Sequence, residues 1–451
     1  MNTSFFGELL ASITEQGRAL LTARRPRSDI PLVDLCEALL SGRGEASGVA
    51  LAEEILGEYG RLPAADKEAF FRALRDRFSA DPQSVRAAIR AYDDAPDDPA
   101  CLRQLHVVSE PRRQELIRRL NLAPGGTRAL VDMRADLLKV LPHHPGLRDV
   151  DQDFEHLLSS WFNRGFLVMK RIDWSTPAAI LEKIIEYEAV HEIDGWDDLR
   201  RRIGLEDRRL YAFFHPALVD DLLIFVEVAL TKEIPGAIAP ILAEERAELQ
   251  PQNAATAVFY SISNCQKGLR GISFGNFLIK QVVEELRREL PALKTFVTLS
   301  PVPGFARWLS RRLDAAEQAA EMLLAPDLAG ALTRSDWPDD TIISDRLETV
   351  LPALCAHYLI REKDRNGRPV DPVARFHLGN GARLERINWR GDLSTNGLAQ
   401  AHGFMVNYLY DLRYIEKNHE SFAASGVVAA SSAVTRMART VPETRPVAAA
   451  G

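Results

Sequence analysis

The sequence predicts an α+β protein: an all-helical N-terminal domain over residues 1–164, followed by an α/β layer domain over residues 165–451. Through the first part, apolar residues recur three and four apart, the spacing of one helix face. After "DFEHLLSSWFNRG" the texture changes to β-type runs. From 254 to 300 a strand, a glycine-bearing loop, a helix and a strand then follow in order, the pattern of a layered sheet domain.

In the first part, Pro63, Pro82, Pro96, Pro111, Pro124 and Pro145 punctuate successive helices. The opening "MNTSFFGELLASITEQGRALL" is expected to be a packed helix, because Glu8 and Glu15 interrupt the unbroken apolar run that a secretory signal needs. In "TRALVDMRADLLKVL", Leu130, Met133, Leu137, Leu138 and Leu141 make a stripe with no titratable cluster beside it, which reads as a bundle face. A stripe left on the outside of such a bundle suits self-association, so this domain is expected to build a homo-oligomer, a dimer or tetramer.

In the second part, "FLVMKRIDW", "RLYAFFH", "DLLIFVEVALT", "AATAVFYSIS", "KTFVTLS" and "PVARFHLG" read as strands. "GNFLIKQVVEELRREL" reads as an amphipathic helix with Phe277, Ile279, Val282, Val283, Leu286 and Leu290 on its apolar face. The segment 440–451 has the character of a disordered tail.

At 451 residues and 46% hydrophobic content the chain can bury more than one core. A net charge of −7 argues against nucleic acid as the main partner. Cys36, Cys101, Cys265 and Cys355 are far apart and show neither a disulfide framework nor a zinc pattern, which points to a reducing compartment. No apolar stretch approaches the roughly 20 residues that span a bilayer. The expectation is a cytoplasmic protein that does not engage membranes.

Chemistry has three places to reside. "QKGLRGISFGNF", residues 266–277, lies between a strand and a helix, and Gly268, Gly271 and Gly275 would let backbone N–H groups approach an anion at the helix N-terminus. It is neither a Walker loop nor a dinucleotide fingerprint. Read from Arg270, "RGISFG" resembles the [QR]xxGx[GA] loop with which acetyltransferase-like folds hold coenzyme A, with Ser273 where that pattern has glycine. His377, in "ARFHLGNGARLERINW", is read at the end of a β-type run before a Gly-Asn-Gly turn, where it could exchange protons in a pocket. It and His215, in "FFHPAL", are equally readable as hydrogen-bonded structural residues. Ser300, in "TLSPVPGFARWL", sits at a strand end made rigid by Pro301 and Pro303, either as a turn cap or as a working hydroxyl. Nothing in the spacing brings Ser300 and His377 together. Tyr408 and Tyr410, in "GFMVNYLYDL", read most simply as aromatics of an amphipathic helix.

Taken together, "FYSISNCQKGLRGISFGNFLIKQVVEELRRELPALKTFVTLSPVPGFARWL" and "RFHLGNGARLERINWRGDLSTNGLAQAHGFMVNYLY" closely resemble the catalytic domain of the malonyl-CoA decarboxylase family, from near "DFEHLLSSWFNRGFL" to about residue 415. For residues 1–164 the likeness to the family's helical N-terminal domain is architectural. The resemblance implies an acetyltransferase-like (GNAT-type) catalytic domain that converts malonyl-CoA to acetyl-CoA and CO2. It implies a catalytic Ser300–His377 pair with Tyr410 as an accessory, and a coenzyme A loop formed by Arg270, Gly271, Ile272, Ser273, Phe274, Gly275 and Asn276. Some members carry a glutamate in that loop where this chain has Ser273. No metal and no separate cofactor are expected, since coenzyme A is part of the substrate and the thioester itself accepts the electrons. The loop and the Ser-His pair leave open a CoA-dependent N-acetyltransferase, a thioesterase with Ser300 as nucleophile, and a non-catalytic CoA-binding sensor.

Overall fold

The computed structural model describes residues 31–41, 44–218, 221–272, 278–318, 324–334 and 336–441. The opening helix, Ser273, Phe274, Gly275 and Asn276 of the loop, and all of the expected tail beyond Val441 lie outside the described residues.

The chain divides into two compact units. The first runs to Val168 and also takes in Phe214–Leu223 and Cys265–Phe274. Its helices are α1 (Leu32–Leu40), α2 (Glu45–Arg61), α3 (Ala64–Arg77), α4 (Pro82–Asp94), α5 (Pro99–Ser109), α6 (Arg112–Leu120), α7 (Gly126–Val140) and α8 (Arg148–Trp161). Their starts follow the sequence punctuation. Asp81 caps α4 by accepting from the N–H groups of Gln83 and Ser84, and Asp98 caps α5, each with proline in the first turn. Of the expected stripe, Leu130, Met133 and Leu137 of α7 are fully buried, while Leu138 and Leu141 are only half-buried.

The second unit carries one mixed eight-stranded sheet. Its elements are β1 (Val168–Ile172), α9 (Ala178–Tyr187), α10 (Gly195–Ile203), β2 (Arg208–Phe214), β3 (Leu222–Thr231), α11 (Ala239–Leu242), β4 (Thr256–Asn264), α12 (Leu278–Glu289), β5 (Thr295–Thr298), β6 (Ser300–Pro301), α13 (Phe305–Gln318), α14 (Pro326–Ala331), α15 (Thr341–Arg361), α16 (Pro372–Gly379), β7 (Arg383–Asn388), α17 (Thr395–Ala401), β8 (Met405–Leu409), α18 (Ile415–Ser425) and α19 (Ser432–Arg439). An all-helical region thus precedes a mixed α+β sheet domain, the fold class read from the sequence. The strand order is β1-β2-β3-β4-β5-β8-β6, with β7 also on β8. On α12, Ile279, Val282, Val283 and Leu286 are buried, while Phe277 falls outside the described residues.

β4 and β5 pair in parallel, in register from Thr256↔Thr295 to Phe259↔Thr298. β4 then continues to Asn264 with no further pairing to β5. Beyond Leu299 the chain re-enters the sheet as β6, which pairs antiparallel with β8 at Ser300↔Val406 and Pro301↔Met405. Val297, Leu299 and Met405 face one hydrophobic cluster with Ala229, Val258 and Tyr260. Since side chains alternate along a strand, Thr298 and Ser300 on one strand line and Tyr408 on β8 face the other way.

Two expected elements are exchanged in type. "PVARFHLG" is the helix α16, because Asp371 accepts from the Ala374 N–H as an N-cap and Pro372 stands in the first turn. "FMVNYLY" is β8 and its exit, with Met405, Val406 and Asn407 paired to Asn388, Ile387 and Arg386 of β7. Sheet pairing overrode the helical reading of Tyr408 and Tyr410.

Candidate active site

Ser300 and His377, far apart in the chain, meet in the second unit. Ser300 Oγ lies 3.1 Å from His377 Nε2, and both residues are buried. His377 Nδ1 lies 2.8 Å from Tyr410 Oη. The Ser300 hydroxyl donates to Thr298 Oγ1 at 2.8 Å, and Thr298 Oγ1 also accepts from the Tyr408 N–H at 3.1 Å. With the Ser300 proton directed at Thr298, the ring proton of neutral His377 sits on Nε2, and Nδ1 accepts from Tyr410. The result is a continuous line of hydrogen bonds, Tyr410–His377–Ser300–Thr298.

Local structure explains why these four groups converge. Thr298 and Ser300 are two apart on adjoining strand segments and share a face, as do Tyr408 and Tyr410 at the end of β8. The Tyr408 ring lies over the His377 imidazole, with centroids 4.6 Å apart and planes within 24°, while Tyr410 meets the imidazole edge-on. The ring is therefore fixed in plane by one tyrosine and in tautomer by the other. His377 reaches this point from the last turn of α16, where its carbonyl accepts from the N–H groups of Asn380 and Ala382. The strand reading placed His377 on the wrong backbone type but at the correct end of its element.

Burial governs the electrostatics. It pushes the His377 imidazole down to about 3, so the ring is neutral at physiological pH. The same cause raises the Tyr410 and Tyr408 phenols well above their ordinary value, so both stay neutral; Tyr410 acts as a hydrogen-bonding group on His377 Nδ1, while Tyr408 contributes its ring face. Asn407, fully buried, donates to the Thr298 carbonyl at 2.8 Å and braces the backbone just before Ser300. Sequence reasoning passed over Thr298, Asn407 and Asp371. For Thr298 the signal was its i, i+2 relation to Ser300, and for Asp371 it was the Asp-Pro helix start.

Arg270, Gly271 and Ile272 of the expected coenzyme A loop belong to the first unit. Arg134, itself buried and paired with Asp151 at 2.9 Å, donates through Nη1 to the carbonyls of Gly268 and Arg270, both at 2.9 Å. Gly268 is pressed against α7, where a Cβ would lie 1.8 Å from the Val131 carbonyl oxygen, and Gly271 has φ +85°. These glycines thus serve close approach and a left-handed turn. His215 is structural: Nε2 lies 3.0 Å from the Trp161 carbonyl and Nδ1 accepts from the Ala217 N–H. Among the described residues, no group of three or more His, Cys, Asp or Glu side chains is placed to hold a metal ion. No helix there is long and apolar enough to cross a membrane.

Residues 165–448 match the family described as malonyl-CoA decarboxylase C-terminal domain, and residues 78–162 the corresponding N-terminal domain. Rat mitochondrial malonyl-CoA decarboxylase is 36% identical over 442 residues, covering 91% of this chain and 86% of its own length. The goose enzyme (Anser anser anser) is 39% identical over 350 residues, 72% of this chain and 69% of its own. Among solved structures, malonyl-CoA decarboxylase from Rhodopseudomonas palustris superposes with a TM-score of 0.86 at 57% identity, covering 90% of this chain and 98% of that one. The Agrobacterium vitis protein gives 0.84 at 57% identity, covering 90% and 99%.

Proposed function

The chain belongs to the malonyl-CoA decarboxylase family and converts malonyl-CoA to acetyl-CoA and CO2, and from that premise we propose that Ser300, His377 and Tyr410 carry the reaction as a buried proton relay. The observation that carries this reading is the Ser300 Oγ–His377 Nε2 contact of 3.1 Å, continued to Tyr410 at 2.8 Å.

Breaking the bond between C2 and the carboxylate leaves an electron pair that the thioester carbonyl accepts as an enolate. The protein's tasks are to hold the carboxylate out of the thioester plane, to donate to the enolate oxygen and to return a proton to C2. A thioester enolate is basic enough to take a proton from a neutral hydroxyl, so a neutral relay suffices. Ser300 turns its proton from Thr298 to the substrate, and Nε2–H of His377 replaces it. Tyr410 supports Nδ1 as the negative charge passes into the relay. One proton from water then restores the relay, which balances the reaction as malonyl-CoA plus H⁺ giving acetyl-CoA plus CO2. Ser300 acts here as a donor and not a nucleophile. In acyl-transfer triads a carboxylate stabilises the imidazolium that forms, whereas His377 has a phenol on Nδ1 and its ring resists protonation.

Arg270, Gly271 and Ile272, with Ser273, Phe274, Gly275 and Asn276, are proposed to hold coenzyme A at this loop; the backbone N–H groups of Arg270 and Ile272 already donate to the carbonyls of Lys267 and Leu269, so those two residues would contribute by shaping the turn. No step requires the loop carboxylate that some members carry. The relay uses only the chain's own groups and the substrate thioester, and no separate cofactor is proposed. The helical region is proposed to mediate self-association. Leu102 and Val107 of α5 are exposed, and α5 has no buried residue, which supports that role. The absence of pairing among the four cysteines supports a reducing, cytoplasmic location.

Incubation with malonyl-CoA alone tests the chemistry. CO2 with acetyl-CoA is expected, and release of free CoA would indicate a thioesterase instead. Ser300→Ala and His377→Asn are expected to bind CoA normally and to lose ~10²–10³ in turnover, the usual cost of removing one transition-state donor. Wild-type turnover in either variant would remove that residue from the mechanism.

A further inference from the structure

The fully buried carboxylate of Asp371 is used by two helix starts at once. Oδ1 accepts from the Ala374 N–H at 2.8 Å and caps α16, the helix that carries His377. The carboxylate also lies beside the turn at Gly304, where Oδ2 would be 3.8 Å from a Cβ built on that glycine, and the nearby backbone N–H groups of Val373 and Gly304 favour its ionised form. Gly304 closes the turn that follows Ser300 and opens α13, its carbonyl accepting from Trp308 N–H at 3.0 Å. Tyr358 Oη lies 3.4 Å from Oδ2 and fills the space over Gly304, where a Cβ would come within 2.2 Å of that oxygen.

We infer that Asp371 is a positioning residue for the decarboxylation: one buried carboxylate ties the turn after Ser300 to the start of the His377 helix and so holds the two groups in register. A cap alone does not call for this residue. Asparagine or serine caps a helix equally well and buries no charge, whereas a charge kept in the interior costs stability unless several donors meet it. Burial does raise the Asp371 carboxyl, to about 6. The donors that repay that cost come from both sides of the Ser300–His377 contact. The inference rests on the Ser300–His377 reading and adds to it the group that sets their separation.

Asp371→Asn and Asp371→Ser test it. Each keeps an oxygen for the Ala374 N–H. Asparagine, however, cannot offer acceptors on both sides, and serine is too short to reach Gly304. Both variants are expected to fold with circular dichroism and melting close to wild type, to keep KM for malonyl-CoA within twofold, and to lose ~10–100-fold in kcat, the scale expected for loosening a catalytic group by about 1 Å. Wild-type kcat in a folded variant would overturn the inference. Unfolding of both, or a loss that only tracks the folded fraction, would also overturn it by reducing Asp371 to a cap. Ser300→Ala is run alongside. If it retains full turnover, the Ser-His reading itself fails; if it loses turnover while the Asp371 variants do not, only the clamp fails.

Discussion

At the scale of single residues, position and burial decide what Ser300 and His377 can do. Ser300 is held by β6 pairing to Val406 on one side and by Pro301 on the other. Pro301 restricts the backbone of Ser300, and so fixes where its hydroxyl points. Pro301→Ala is expected to remain folded and to bind CoA while losing up to roughly 10²-fold in decarboxylation. Full activity in the folded variant would show that this rigidity is not needed to aim Ser300. For His377, the folded protein resists protonation down to about 3, whereas the unfolded chain takes the proton near the ordinary 6.5. The contribution of this group is therefore complete above pH 6.5 and is lost as pH falls toward 3. Asp371, raised to about 6, has the opposite sign: its contribution is full below about 3.9 and is lost as pH rises through 6. Between pH 7 and pH 5 the His377 effect alone amounts to about 2 kcal/mol. Urea unfolding at the two pH values should show that His377→Asn reduces the acid loss of stability by about that amount. An unchanged difference would mean that the imidazole is not buried neutral.

At the scale of elements, the amphipathic helix α12 and the strands β2 to β5 were legible, because each carries its burial pattern in a continuous run of sequence. The segments around His377 and Tyr410 were not. In α16 the apolar "FHL" imitates a strand, and the Asp371–Pro372 start outweighs it. In β8 a run that imitates a helix is captured between β7 on one side and β5 and β6 on the other. The glycine loop gives a comparable lesson. Gly268 serves close packing on Val131 of α7, and Arg134 gathers the loop carbonyls. Gly268→Ala is expected to destabilise by ~1–3 kcal/mol, the usual cost of overpacking, and to weaken CoA binding. Thermal melting and a CoA titration measure the two effects. Unchanged values would mean that helix and loop separate without penalty.

At the scale of the whole molecule, the division into units departs from a simple cut in sequence. The loop after β4 belongs with the helical unit, so removing residues 1–164 would also remove Arg134 and Val131 from beneath it. Self-association is better tested with the chain intact. Leu102→Asp with Val107→Asp is expected to lower the mass measured by light scattering while leaving decarboxylation per folded chain within about twofold, as expected of exposed positions that take no part in the relay. An unchanged mass would place the interface elsewhere. The amino-acid sequence by itself determined the class of the fold, the run of helices before the sheet, and the motifs that carry the family likeness. Those features depend on local spacing, turn residues and order along the chain. Only the tertiary structure decided that Thr298, Ser300, His377 and Tyr410 form one line of hydrogen bonds and that the imidazole stays neutral. Strand alternation, antiparallel pairing of β6 with β8 and the exclusion of water act between residues that the chain keeps far apart, so no local pattern can encode them.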